Sequence, residues 1–178
     1  MTHVFLERQF ETPIDLDDVR QMAIDNSNCI GIYGVEWHQS HLAKDGSRLY
    51  CHFEAPDTEA MRNVLRFNHS EYNAVWPSEI HDTGNDGEVN VLVERSWDEP
   101  VTIADIAAIE KEGAWCLEAH NVTFLKTYFA SDHKRMICLY RAPDAESVRQ
   151  SQIKANMPFD DVWSFTLVTP ATLFPDGF

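Results

Sequence analysis

Basic residues are scarce. Fourteen Lys and Arg stand against 29 Asp and Glu, for a formal net charge of −15. A surface of that sign repels phosphate backbones, which excludes nucleic-acid binding through a basic face. It suits cationic ligands and metals instead. Long apolar runs are also missing: none approaches the roughly 20 residues of a membrane-spanning helix. Met1–Phe10 carries Glu7 and Arg8 and lacks the basic start and long apolar stretch of a signal peptide. Four cysteines in 178 residues do not make a disulfide scaffold. Together these absences predict a soluble, cytoplasmic protein with neither nucleic acid nor membrane as partner. Glycine is sparse, seven in all, and there is no Gly-rich phosphate loop, dinucleotide fingerprint or serine nucleophile elbow. The metal spacings HxH, HExxH and CxxC do not occur either.

What is present is an internal repeat. A shift of 87 residues lays Val4–Asp82 on Val91–Thr169 without a gap. Glu7-Arg8 falls on Glu94-Arg95, Cys29 on Cys116, Cys51 on Cys138, Ala55-Pro56-Asp57 on Ala142-Pro143-Asp144, and Val75-Trp76 on Val162-Trp163. So many identities on one diagonal, Cys and Trp among them, mark a duplicated domain. The expected organisation is repeat 1 over 1–82, a polar linker over 83–88, repeat 2 over 89–169 and a tail over 170–178. Leu173, Phe174 and Phe178 of the tail either tuck against the body or lie free.

Both copies can be read together. Val4-Phe5-Leu6 and Val91-Leu92-Val93 are first strands. Pro13 and Pro100 lead into helices, with Asp15 and the Thr102-x-x-Asp105 box as caps. Leu16, Val19, Met22 and Ala23 recur at helical spacing. Two strands follow, near Tyr33–Ala43 and Arg48–Glu54, joined at the Asp45-Gly46 turn signal. Pro56-Asp57 starts a second helix and Val75-Trp76 lies in a last strand. The order β-α-β-β-α-β, twice, is the ferredoxin-like arrangement with both helices on one sheet face. The fold class expected is therefore α+β: two tandem ferredoxin-like units, their sheets packed as a pseudo-twofold sandwich or α+β barrel.

Glu7-Arg8 on the first strand, the Asp45-Gly46 hairpin, Tyr50-Cys51-His52-Phe53-Glu54-Ala55-Pro56-Asp57 and Met136-Ile137-Cys138-Leu139-Tyr140-Arg141-Ala142-Pro143-Asp144 carry a resemblance. The chain resembles a family of small ferredoxin-like proteins known as a domain of unknown function, one member of which is a nickel-binding protein. The resemblance covers both repeats. It implies a cytoplasmic protein in which a fused pair replaces a homodimer of single units, and it implies a nickel site. It supplies no ligand set.

Candidate ligands come from local chemistry. Six of the eight histidines, His3, His38, His41, His52, His69 and His81, lie in the first copy. Where the first copy has His38, His41 and His52, the second has Leu125, Tyr128 and Leu139. His38, His41 and His52 sit on one hairpin, and neutral imidazole suits nickel, zinc and copper. Glu7 on the neighbouring first strand supplies a carboxylate ligand or a partner to the ligands. A two-residue loop at Asp45-Gly46 sets His41 opposite Tyr50 and His52 opposite Gln39, placing His41 and His52 on one face. A one-residue bulge would instead align His38 with His52. The Glu-Arg dipeptide reads either as an ion pair securing the sheet or as a carboxylate facing a cleft. The cysteines read as core, and Trp76 and Trp163 as core or interface anchors.

The leading expectation is a soluble metal-binding protein. It holds a divalent transition metal, nickel by resemblance, through His38, His41, His52 and Glu7. The rival is an enzyme working by acid–base chemistry on a small organic substrate in a cleft between the repeats. The third is a structural or homo-oligomeric module.

Overall fold

In the computed structural model, which describes residues 1–177, the strand and helix signals of each repeat become one βαββαβ unit. The first copy runs β1 (Thr2–Gln9), α1 (Leu16–Ile32), β2 (Glu36–Ala43), β3 (Arg48–Ala55), α2 (Thr58–Phe67) and β4 (Ala74–Asp82). The second runs β5 (Val91–Ser96), α3 (Ile103–Ala119), β6 (Thr123–Ala130), β7 (Arg135–Arg141), α4 (Ala145–Lys154) and β8 (Asp161–Val168). A short α5 (Pro170–Leu173) follows. By their contacts, residues 1–78 and the segment from 166 onward form one unit, and residues 79–165 the other. Within the first unit the antiparallel order is β4-β1-β3-β2, and within the second β8-β5-β7-β6. The expected α+β, twice ferredoxin-like topology is what forms. No helix among the described residues is long and apolar enough to cross a membrane.

The caps read from sequence define the helix starts. Asp15 accepts from the backbone N–H of Asp17 and Asp18, and the Asp18 side chain accepts from the Asp15 N–H in return. Thr102 and Asp105 make the same reciprocal box on α3. Asp57 and Asp144 cap α2 and α4 through the N–H groups of Ala60 and Ser147. Each such cap contributes about 1 kcal/mol. At the far end, α1 runs further than expected: Tyr33 closes it and the strand begins only at Glu36. Gly34, at φ +63°, turns the chain left-handed there, and the Val35 N–H returns to the Ile30 carbonyl. Asn121 does the same for α3 at φ +54°. Cys29 thus lies buried on the last turn of this helix.

The β2–β3 turn is the tightest joint. Gly46 sits at φ +74°, and a Cβ there would lie 2.5 Å from the Ile14 carbonyl oxygen. That closeness exists because the loop after β1 is sewn onto the turn: the Ile14 N–H donates to Gly46 O and the Phe10 N–H to Ser47 O. The second copy repeats the stitch from Val101 to His133 and from Trp97 to Lys134, with His133 left-handed at φ 60°.

On one sheet face of the first unit, Val4, Leu6, Leu49, Cys51 and Phe53 pack with Val19 of α1 and Met61, Val64 and Leu65 of α2. The tail joins this core through Leu173 and Phe174; Phe178 lies outside the described residues. Val91, Val93, Met136, Cys138 and Tyr140 pack likewise with Ile106 and Val148. All four cysteines are buried thiols, and burial pushes the Cys51 and Cys138 thiols up from their ordinary pKa. On the opposite face one polar pin recurs. The Trp76 indole N–H donates to Glu7 Oε1 at 2.8 Å, and that of Trp163 to Glu94 Oε1 at 2.7 Å.

Two stability outcomes follow. Gly46→Ala is expected to lower unfolding free energy by about 1–2 kcal/mol from the left-handed backbone alone, with the clash at Ile14 added. Trp76→Phe takes a hydrogen-bond donor from the buried Glu7 carboxyl and is expected to cost about 1–3 kcal/mol. Urea unfolding midpoints of the full chain check both.

Candidate functional site

The face of the first sheet turned away from α1 and α2 carries the histidines. Strand alternation places His3, Phe5 and Glu7 of β1 on it, with Tyr50, His52 and Glu54 of β3. The hairpin has the register set by a two-residue turn, with His41 opposite Tyr50 and Gln39 opposite His52. Two pairs further from the turn the register shifts between Trp37 and Gln39, so His38 is the bulged residue. The two registers weighed from the sequence are therefore not exclusive. The turn puts His41 on the His52 face, and the bulge rolls His38 onto it as well. The bulge recurs in the second copy between Phe124 and Lys126.

The result is a cluster. His3 Nδ1 lies 3.1 Å from His52 Nε2, with ring centroids 5.1 Å apart. The His38 ring stacks on His52 at 4.9 Å and 21°, and His38 Nε2 lies 3.2 Å from Glu54 Oε2. His52 is buried at 6% exposure, whereas the His38 and Glu54 side chains are 36% and 29% exposed. The cluster therefore has a buried floor and an accessible rim.

His38 and His52 are thus brought together. His41 sits two pairs nearer the turn than His52 and is fully buried; its Nδ1 lies 3.0 Å from the Tyr50 carbonyl and its Nε2 3.2 Å from the Gln39 side-chain amide. Glu7 is engaged with Trp76. Because its counterpart Glu94 holds Trp163 in the same way, where the second copy has no such histidines, that bond serves the fold of both units. Glu7 and Arg8 form no ion pair: alternation along β1 sends the carboxylate to the histidine face and the guanidinium beneath the helices. Among the described residues, no three His, Cys, Asp or Glu side chains are arranged as a ready metal shell.

Sequence reasoning passed over His3 and Glu54. The signal for them is the β1–β3 ladder, which pairs His3 with Glu54 and Phe5 with His52 and so sets His3 diagonal to His52. No short turn joins β1 to β3, and hairpin arithmetic does not reach it.

Comparison with known proteins places this geometry. No curated protein matches the chain. Among solved structures, TA0507, described as a chlorite dismutase, shares 11% identity over 99% of this chain and 98% of its own, with a TM-score of 0.54. Chlorite dismutase from Candidatus Nitrospira defluvii, in complex with imidazole, shares 9% over 98% and 94%, with a TM-score of 0.52. Identities this low show a common fold and nothing about activity. The family comparison is more specific, because it finds the same description twice, at positions in register with the internal repeat. Matched over residues 5–77 and again over 92–164, the chain belongs to the nickel-responsive SCO4226-like family.

Proposed function

We propose that the protein binds a divalent transition metal, nickel by its family description, at the histidine cluster of the first unit. His3 and His52 are the paired nitrogen ligands, and His38 and Glu54 stand beside them to complete the shell. The observation that supports this reading is the 3.1 Å between His3 Nδ1 and His52 Nε2. Two nitrogens each about 2.1 Å from one metal and at right angles to each other lie about 3.0 Å apart. A hydrogen-bonded imidazole pair and a pair of neighbouring metal ligands therefore share nearly the same spacing.

The donor set also fits in kind. Imidazole nitrogen with a carboxylate oxygen suits nickel, copper and zinc, and disfavours magnesium and calcium. The stacked His38 cannot share a metal with His52 as it stands, since ring lone pairs lie in the ring plane and the two planes are nearly parallel. To join the shell it must turn from its stack on His52 and its contact with Glu54, which its partial exposure gives room for, and water supplies the remaining positions. A site with two fixed nitrogens and a mobile third donor suits reversible binding, the behaviour a nickel-responsive protein needs.

The test is calorimetric titration of Ni²⁺ into the full-length, tag-free, chelator-treated protein. Near-stoichiometric binding is expected. His3→Ala and His52→Ala should each weaken it by about tenfold or more, while His41→Ala leaves it within about twofold. If His52→Ala changes neither stoichiometry nor affinity, the reading fails. Protons compete with metal for imidazole, so uptake should fall as the pH is lowered. At a hundredfold excess over Kd, bound metal should stabilise the fold by about 2.7 kcal/mol, seen as a raised melting temperature.

A further inference from the structure

The other face of the first sheet holds an arginine whose charge nothing in its unit answers. Arg8 is 8% exposed and lies beneath α1 and α2. Its one hydrogen bond among the described residues runs from Nε to the Glu71 carbonyl at 3.2 Å. Among the described residues its two terminal nitrogens have no protein acceptor, and neither is wholly shut off from solvent. The titratable group that bears on it is Cys51, whose thiol burial keeps protonated.

The duplicate shows what this position costs and how it is otherwise met. Arg95, 1% exposed, occupies the same place in the second unit. Its Nη1 donates to the Pro158 carbonyl at 2.6 Å, and its Nη2 to Gln152 Oε1 at 2.6 Å and to the Tyr140 hydroxyl at 3.2 Å. The Glu110 carboxylate adds a favourable charge interaction, felt on its own titration. In the first copy those three side chains are Leu65, Phe53 and Ala23. All three internal partners are apolar there, yet the arginine is retained. An uncompensated buried guanidinium costs several kcal/mol, and an apolar residue would avoid that cost.

Two of these replacements, Ala23 and Phe53, line a pocket beside Arg8. A cavity of about 40 Å³ lies between the helices and the sheet, with Arg8 in its wall. Met22, Ile30, Met61 and Phe53 line it, with Trp37 and the Ser40–Cys51 pair as its polar floor. The Trp37 indole N–H donates to Ser40 Oγ, and Ser40 Oγ–H donates to Cys51 Sγ, both at 2.9 Å, so these donors are spent. The corresponding space of the second unit, beside Glu110, Tyr140 and Gln152, amounts to only about 10 Å³.

We propose that this pocket binds a small organic monocarboxylate with an apolar body, its carboxylate paired with the terminal nitrogens of Arg8. A guanidinium fork matches a carboxylate with two parallel charge-assisted bonds. One positive charge among apolar walls is neutralised by one negative charge. A phosphate dianion would leave a net charge buried, at a heavy desolvation cost. The partly open pocket admits a carboxylate head and a few carbons, and the unbranched Met22 and Met61 can yield to a longer tail. This site lies on the face opposite the histidines and does not depend on metal binding.

The experiment titrates butyrate and benzoate into the full-length, chelator-treated protein by calorimetry and follows the melting temperature. Butyramide, benzamide and inorganic phosphate serve as controls. Saturable one-to-one carboxylate binding is expected, with the amides weaker by about tenfold or more and phosphate silent. Arg8→Met should abolish binding and leave the protein as stable or more so, as replacement of an unpaired buried charge predicts. Leu65→Gln, which restores the internal acceptor of the second unit, should weaken binding by about tenfold while the fold is kept. Absence of saturable carboxylate binding, equal binding of the amides, or affinity unchanged in both variants would overturn the proposal. Phosphate binding in place of carboxylate would overturn the ligand class.

Discussion

Everything beneath the helices of this protein is arranged around one difficulty: the first strand of each unit buries a guanidinium. Alternation on β1 and β5 leaves no choice of side, since the residue after a face-opposite glutamate must point under the helices. The second unit answers with a carbonyl, an amide, a phenol and a carboxylate gathered around Arg95. That answer brings its own tension. One oxygen of Glu110 is buried without a hydrogen bond, and burial raises the pKa of its carboxyl against the pull of Arg95. The first unit keeps the arginine and drops the network. Two copies of one backbone thus show the terminal nitrogens of an ionic position answered within the unit in one case, though Arg95 Nε stays unpartnered, and left open in the other.

The opposite sheet face diverged in the other direction. There the first copy gathered polarity, with His3, His38, His52 and Glu54 where the second has Asn90, Leu125, Leu139 and Arg141. The Glu–Trp hydrogen bond is common to both units and indifferent to what surrounds it. It separates what both units share, the Glu–Trp bond, from what the first unit adds, the imidazoles.

Most of the architecture was legible because the repeat halves the ambiguity. A cap, a turn or a strand seen faintly in one copy could be checked in the other, as with Asp15 against Thr102 or Asp45-Gly46 against Asp132-His133. The boundary after α1 was not, because Tyr33 and Val35 favour strands by type, and only the left-handed Gly34 decides where the helix stops. Of the site, His38 and His52 were legible from the hairpin, which is local and countable. His3 and Glu54 were not, because their meeting depends on a ladder between strands separated by a whole helix and hairpin. The bulge at His38 lay between these cases. Its effect could be worked out in advance, but its presence could not, since no residue type marks it.

That bulge has a meaning for how such a molecule changes over time. An inserted strand residue is outside the regular cross-strand pairing, so its identity is nearly neutral to register. Here it occupies the same place in both copies, carrying a histidine in one and a leucine in the other. Gene duplication therefore left two permissive addresses on an otherwise demanding sheet. New chemistry can be tried at one address while the other preserves the inheritance, and neither trial requires the fold to be solved again.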